Sequence, residues 1–424
     1  MLRAKTALLL LPCLCAPAQD AARKSRLAAF EAVWSKINDH HYDPTFGGLD
    51  WAAVRRRYEP RAARAPSDDE LHALLNQMID ELKLSHFRII AAGGVVEETP
   101  QEPGGIGIEV KLVEGEATVT RVKAGSPAAA SGLTPGSALH RIGSRSVKDI
   151  LARVEKSGEP ARRKRLLAAR VLQAAVDGAP GSKITIAFAD GKGATREVSL
   201  ERVRKDGEFS PALGHMPPQY MEFESRRLEG GIGYIRLTLF AVNIMERLRA
   251  AVRSMSDAPG MIFDLRGNPG GNAMMTGGIA GLLMDRQTSL GVMQMRKGHI
   301  NMAVFPQPGP YSGPLVVVTD SGSASASEIF AAGLQALGRA KVAGERSAGA
   351  ALPSMLEGLP TGAAFQYAVA DFKLPNGALV EGIGVVPDAE VPMTRRALLA
   401  GRDPQLDAAV KEVWKSREKK GEGK

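Results

Sequence analysis

The chain has 424 residues and a mass of 45.0 kDa, with 46 Gly, 26 Pro, 44% hydrophobic and 24% charged residues, which is room for two or three domains at roughly 150 residues each. Lys and Arg outnumber Asp and Glu by 55 to 46, a net charge of +9, but only 5% of residues are aromatic, so the composition argues against a protein that stacks nucleobases. The two cysteines, Cys13 and Cys15, both fall within the first twenty residues, which excludes a disulfide scaffold and a zinc site built on cysteine.

The amino terminus reads as an export signal. Arg3 and Lys5 form a basic start, residues 7–15 an apolar stretch, and Ala16-Pro17-Ala18 a small-x-small cleavage pattern. Cleavage near Ala18 leaves 406 residues, no cysteine and a net charge of +7, as suits an oxidising compartment. A buried first helix is disfavoured by Pro12 and Pro17, and a lipoprotein signal by Pro12 and Leu14 before the two cysteines. No later stretch has the eighteen or so apolar residues of a membrane span. The reading is a periplasmic or secreted protein with no stable membrane insertion.

Residues 24–83 carry apolar residues at helical spacing, with Ser67-Asp68-Asp69-Glu70 as a capping signal for the run from Leu71. From residue 89 the pattern changes to short strands punctuated by glycine, as in residues 104–122, where Gly115 turns between two alternating runs. The basic stretch 159–175 reads as a connecting helix whose charges form a solvated face, and strands resume at 183–188 and 196–203. From residue 229 strand and helix alternate: a strand over 231–239, a helix to Met255 with Asn243 and Glu246 placed as a capping box, and buried strands over 261–265 and 314–320. An amphipathic helix runs from Ser327 to Leu337 and stops at Gly338. The tail 411–424 ends in a charge run, read as a frayed, solvated helix end.

Three segments offer chemistry. In residues 321–338, Ser323, Ser325 and Ser327 follow a buried strand at the mouth of a helix, where free N–H groups and the positive end of the dipole stabilise an oxyanion. Taken alone, the segment favours reading those serines as N-cap residues and close-packed small side chains. Residues 264–272 place Gly270 and Gly271 in a strand-to-helix turn that exposes N–H groups. The phosphate-loop ending Gly-Lys-Ser/Thr is missing, and Gly-x-Ser-x-Gly does not frame Ser325. Of seven histidines, His86 stands at a helix-to-strand boundary beside Ser85, although a lone boundary histidine is more often structural. Glu381, among glycines and apolar residues, is an acid that would orient an imidazole; otherwise it is a surface carboxylate at a strand end.

In this order the segments resemble the tail-specific, or C-terminal processing, serine proteases, in the branch related to the tricorn core protease. The likeness rests on residues 40–51 and Ser85-His86, on residues 104–147, and on the succession GIGYIRL, FDLRGNPGG, SASASEIF, GERSAG and EGIGVVPD. It implies a multidomain α/β (α+β) fold: signal peptide 1–18, helical region 19–95 carrying the catalytic histidine, an inserted PDZ-like β domain over 101–203, a crotonase-like α/β protease core over 204–395, and a C-terminal helix with basic tail over 396–424. It makes Ser325 the nucleophile, with Ala326 N–H and a Gly270 or Gly271 N–H as the oxyanion hole. Members with a serine–lysine dyad have lysine 25 residues after the nucleophile; here that residue is Ala350, and Lys341 comes too early. The tricorn-like alternative, a histidine beside a serine with a distant glutamate, matches Ser85, His86 and Glu381. The PDZ likeness implies that Gly104, Gly105, Ile106, Gly107 and Ile108 hold a peptide carboxylate in backbone N–H groups, although His140 replaces the family's usual aliphatic residue.

The resulting expectation is an exported serine endopeptidase that cleaves protein or peptide substrates near their C-termini without metal or cofactor. The rival is a catalytically silent binding protein on the same scaffold, motivated by Ala350. A PDZ adaptor explains neither the serine cluster nor Glu381. Substrate, activating partner and oligomeric state are not legible in the sequence.

Overall fold

The computed structural model describes residues 16–91 and 103–421. The expected signal segment lies outside the described residues except for Ala16, Pro17 and Ala18, which open the first helix, Ala16–His40. That helix packs with Trp51–Ala62 and Asp68–Asp80. Ser67 caps the third helix by accepting the Glu70 N–H at 3.2 Å, as the sequence predicts, and Asp50 caps the second through Ala53 N–H at 2.8 Å.

These helices do not form a core of their own. Phe30, Val33, Trp51, Leu75 and Met78 are buried together with Leu352, Phe365 and Tyr367 from almost three hundred residues downstream. The short strand Arg88–Ile90 completes the join by pairing antiparallel with Ala364–Ala368, with Arg88 opposite Gln366. The helical lead-in is thereby fastened to the later part of the chain on both sides of Ser85 and His86.

Residues 104–204 build a separate antiparallel sheet in which Ile108–Val113, Glu116–Val122, Ala138–Ile142, Lys183–Ala189 and Thr195–Glu201 are neighbours in that order. Its core, including Ile106, Val119, Leu139, Ile186 and Phe188, is covered by Val147–Lys156 and Ala161–Val176. The second of these helices departs from the solvated face expected of it. Arg163 is buried, its Nε lying 2.8 Å from Glu159.

A six-stranded sheet orders Phe223–Arg227, Gly233–Leu237, Met261–Asp264, Leu315–Thr319, Lys341–Gly344 and Ala389–Glu390 side by side. Only the first pair is antiparallel. Ile262, Val316 and Val318 turn one way, onto Ala409 and Val413, while Phe263, Val317 and Val342 turn the other way, onto Ile329 and Phe330. Burial on both faces explains why these strands read as continuous apolar runs. The tail is helical over Pro404–Gly421, with Val413 buried against the sheet and Lys415, Arg417, Glu418 and Lys419 exposed beyond it.

The predicted capping box at Asn243 does not form. A short 3-10 turn, Val242–Ile244, precedes the helix Met245–Ser254, and Asn243 instead donates to the Phe209 carbonyl at 3.2 Å.

Candidate active site

Parallel strands end on one edge of the sheet, and the loops that follow them meet there. The loop after Leu315–Thr319 leads into the helix Ala326–Ala336. Burial separates Ser323, Ser325 and Ser327. Ser323 donates to the Leu265 carbonyl at 2.8 Å and Ser327 to the Asn268 carbonyl at 2.9 Å, and both are fully buried. Ser325 alone stays partly exposed. Its backbone has φ 55° and ψ −119°, a left-handed φ that costs a non-glycine residue of order 1–3 kcal/mol and that clusters at functional sites.

Ser325 is held from behind. Its N–H donates to the Ala350 carbonyl at 2.8 Å and to Glu328 Oε2 at 3.1 Å. Glu328 is wholly buried and also accepts the N–H groups of Gly349 at 2.8 Å and Ala350 at 2.9 Å and the Ser347 hydroxyl. Burial pushes its carboxyl up to about 7, against the pull of those four donors. The Ser-x-x-Glu spacing from Ser325 to Glu328 is a capping-box signal in the sequence, and it is the trace by which this residue is recognisable. Ala350 thus supports the serine through its backbone.

The loop after Met261–Asp264 approaches from the neighbouring strand. An added Cβ at Gly270 would lie 2.7 Å from Ser325 Cβ and 2.9 Å from Ala326 N, and φ there is +106°, so only glycine fits. The Gly270 N–H is already spent on Asn268 Oδ1 at 2.9 Å. The N–H groups of Gly271 and of Ala326, the first residue of the helix, have no partner among the described residues. Asn268 stitches the two loops together, accepting from Ala324 N at 3.0 Å and donating to the Leu237 carbonyl at 2.8 Å.

Ser85, His86 and Glu381 are also brought together. Glu381 Oε1 accepts the Ser85 N–H at 2.9 Å, and Oε2 accepts the Ser85 hydroxyl at 2.8 Å. Ser85 Oγ lies 2.7 Å from His86 Nδ1. A hydroxyl has one proton; because Ser85 gives it to Glu381, Oγ accepts from His86 Nδ1–H, which leaves Nε2 as a free lone pair. Glu381 is not a surface carboxylate: its side chain is 9% exposed and it also accepts the Ala351 N–H at 2.9 Å. Burial, then the charges of Arg88, Arg170 and Arg163, pushes the His86 imidazole down to about 3. His86 shares the left-handed backbone, with φ 60°. No hydrogen bond joins it to Ser325 among the described residues.

The helix Ala161–Val176 borders this site. Arg163 Nη1 is 3.6 Å from Glu381 Oε1, Arg162 donates to the Gly382 carbonyl at 2.7 Å, and Leu166 packs with Ala324, Ala348 and Ala350. In the glycine loop of the inserted sheet, the Gly104 N–H donates to the Gly178 carbonyl at 2.8 Å, and Gly105 is paired with Val203. Ile106 and Gly107 accept through their carbonyls from Ala128 and Lys123, and Ile108 is paired with Val122. Among the described residues there is no group of three or more His, Cys, Asp or Glu side chains arranged for a metal, and no helix long and apolar enough to cross a membrane.

The chain is similar to known C-terminal processing and tricorn proteases. Residues 231–391 match the model of peptidase family S41, and residues 22–80 that of the tricorn protease C1 domain. The chain is 26% identical to a carboxyl-terminal-processing protease of Synechocystis over 388 residues, covering 89% of this chain and 84% of that one. It is 26% identical to a putative tricorn protease homolog of Streptomyces coelicolor, covering 90% of this chain and 32% of that one. Among solved structures it resembles the photosystem II D1 C-terminal processing protease, with TM-score 0.59 and 21% identity over 88% of this chain and 97% of that chain. It also resembles the tricorn protease, with TM-score 0.53 and 18% identity over 93% and 37%.

Proposed function

We propose that this chain, a serine endopeptidase belonging to peptidase family S41, cleaves peptide bonds with Ser325 as nucleophile, His86 as base and a Ser85–Glu381 relay behind it. The observation that carries the reading is the unbroken run of hydrogen bonds from Glu381 through Ser85 to His86. Such a run fixes the imidazole tautomer and orientation that a serine nucleophile needs of its base.

The steps follow from the atoms. Ser325 Oγ attacks the substrate carbonyl while His86 Nε2 takes its proton. The charge built on the carbonyl oxygen falls to the free N–H groups of Gly271 and Ala326, aided by the start of the helix Ala326–Ala336. The imidazolium donates Nδ1–H to Ser85, whose own hydroxyl stays committed to Glu381, so the positive charge is balanced through one intervening oxygen. His86 then returns the proton to the leaving amine, and water, deprotonated at the same Nε2, releases the acyl group from Ser325. The Ser325–His86 hydrogen bond is made on substrate binding, as apo catalytic contacts commonly tighten.

The inserted sheet with its two helices is read as PDZ-like and the parallel-sheet part as a crotonase-like protease core. Substrates are protein chains entered near their C-termini, the preference for which the carboxyl-terminal-processing relatives are named. Because the Gly104 N–H is spent on Gly178 and Gly105 is paired with Val203, a peptide carboxylate would have to use the remaining N–H groups of the Ile106 to Ile108 segment. Export follows from the basic start and the small-x-small pattern at Ala16 to Ala18.

The test is cleavage of an unfolded protein by the wild type and by Ser325→Ala. Cleavage by the wild type and none by the variant supports the reading. Equal, negligible cleavage by both would favour the silent scaffold.

A further inference from the structure

The seam between the inserted sheet and the parallel sheet is lined with charge around a cavity of about 170 Å³. Glu109 and Lys111, both on the strand Ile108–Val113, face the other side: Arg236 lies 2.8 Å from Glu109, and Lys111 Nζ lies 2.5 Å from Asp320 Oδ2. Asp320 differs from the other acids of the seam in what its second oxygen does. Oδ1 accepts the N–H of Gly267 at 2.8 Å and the N–H of Gly322 at 2.9 Å. Gly267 belongs to the loop that carries Gly271, and Gly322 to the loop that carries Ser325. The two backbones touch: an added Cβ at Gly322 would sit 2.8 Å from Gly267 Cα.

We propose that Asp320, kept ionised by Lys111 of the inserted sheet, is a positioning residue that clamps the oxyanion-donor loop to the nucleophile loop. This rests on the protease reading, and it adds a control point: the seat of the insert sets the geometry of the site through one ion pair. Both glycine N–H groups converge on Oδ1, and the charge of the ionised carboxylate strengthens both hydrogen bonds. Asp320 is almost fully buried, its side chain 6% exposed against 22% for Lys111. Removing the lysine leaves a buried carboxylate without its partner, which relieves the desolvation cost by taking up a proton. A protonated carboxyl turns Oδ2 into a donor and leaves Oδ1 a neutral, weaker acceptor for both glycine N–H groups, so the shared anchor of the two loops is weakened. Burial pushes the Asp320 carboxyl up, but Lys111, the Gly267 N–H and Arg266 together hold it below the usual carboxylate range.

The experiment compares the full-length wild type with Lys111→Met, Lys111→Arg and Asp320→Asn, by amide hydrogen exchange and by steady-state cleavage. Arg121→Leu serves as a control, because it breaks a different contact of the seam, Arg121 to Glu224 at 2.6 Å, without touching Asp320. Lys111→Met should speed exchange in peptides covering 265–272 and 320–325 by at least about tenfold. It should also lower kcat at least about tenfold with KM within about twofold, since a misplacement of about 1 Å can cost 10²-fold. Asp320→Asn, nearly isosteric, should loosen the same two loops, Lys111→Arg should restore both readouts, and Arg121→Leu should leave exchange in both loops as in the wild type. Unchanged exchange in Lys111→Met overturns the proposal, as does equal loosening by Arg121→Leu, which would assign the effect to docking in general. If exchange responds as described while the wild type cleaves nothing, the clamp stands and the protease reading fails by itself.

Discussion

The hydroxyl of Ser85 lies 2.7 Å from Nδ1 of His86 and gives its proton to Glu381, 296 residues further along the chain. One serine therefore fixes which imidazole nitrogen is bare. In a direct His–carboxylate pair the acid itself does this; here a neutral oxygen intervenes, and the tautomer depends on the direction in which that hydroxyl points.

Ser85→Ala should thus disable the base without unfolding the protein. Glu381 keeps the N–H groups of residues 85 and 351, but His86 Nδ1 loses its acceptor. Loss of tautomer control in a serine–histidine–acid site costs about 10⁴ in kcat, and a fall of about 10² to 10⁴ with little change in KM is expected from steady-state kinetics. Ser85→Thr, which keeps the hydroxyl, should recover a substantial part of the rate.

The acid limb of the kcat/KM profile should fall well below the ordinary histidine midpoint of 6.5, toward the value of about 3 set by burial and the nearby arginines. Stability carries the opposite consequence. Between about pH 6.5 and 3 the unfolded chain protonates this histidine while the folded protein resists, so the unfolded state binds more protons and stability falls as pH falls. Measured from pH 7 to pH 4, the Tm of His86→Gln should drop less than that of the wild type.

Gly271→Ala should remove activity more than stability permits one to explain. The added Cβ would lie 2.4 Å from the Phe240 carbonyl oxygen, at φ +118°, so the loop must shift and carry the free N–H of residue 271 with it. Loss of one oxyanion donor costs about 10² to 10³ in kcat. A kcat within about twofold of wild type would exclude Gly271 as a donor.

Glu328→Ala leaves the N–H groups of Gly349 and Ala350 and the Ser347 hydroxyl without their acceptor, and leaves the Ser325 N–H with the Ala350 carbonyl alone. Each orphaned buried donor costs about 1–3 kcal/mol, so Tm should fall by at least about 5 °C together with kcat. Glu328→Gln offers an acceptor at one atom and a clashing amine at the other. It should lie between alanine and wild type in a thermal melt.

How much of this was written in the sequence depends on the range of the interaction. The strands Met261–Asp264 and Leu315–Thr319 were legible because burial on both faces leaves an unbroken apolar run, and Ser67 announced its helix through a contact three residues away. Asn243 carried the same kind of local signal, but a 3-10 turn intervened and its side chain found the Phe209 carbonyl. The basic face of Ala161–Val176 looked solvated because nothing local reveals that Arg163 meets Glu381. Within SASAS the three serines are alike in sequence. Only the long-range partners of Ser323 and Ser327, the carbonyls of Leu265 and Asn268, leave Ser325 free. Asp320 and Lys111, 209 residues apart, left no local pattern at all.

The central claim is that Ser325 is a nucleophile activated by His86, and a serine-reactive fluorophosphonate tests it most directly. Peptide mapping by mass spectrometry should place the adduct on Ser325 in the wild type, with labelling at least about 10²-fold slower in His86→Ala. An adduct on another residue, or labelling of Ser325 at the same rate without His86, would contradict the account.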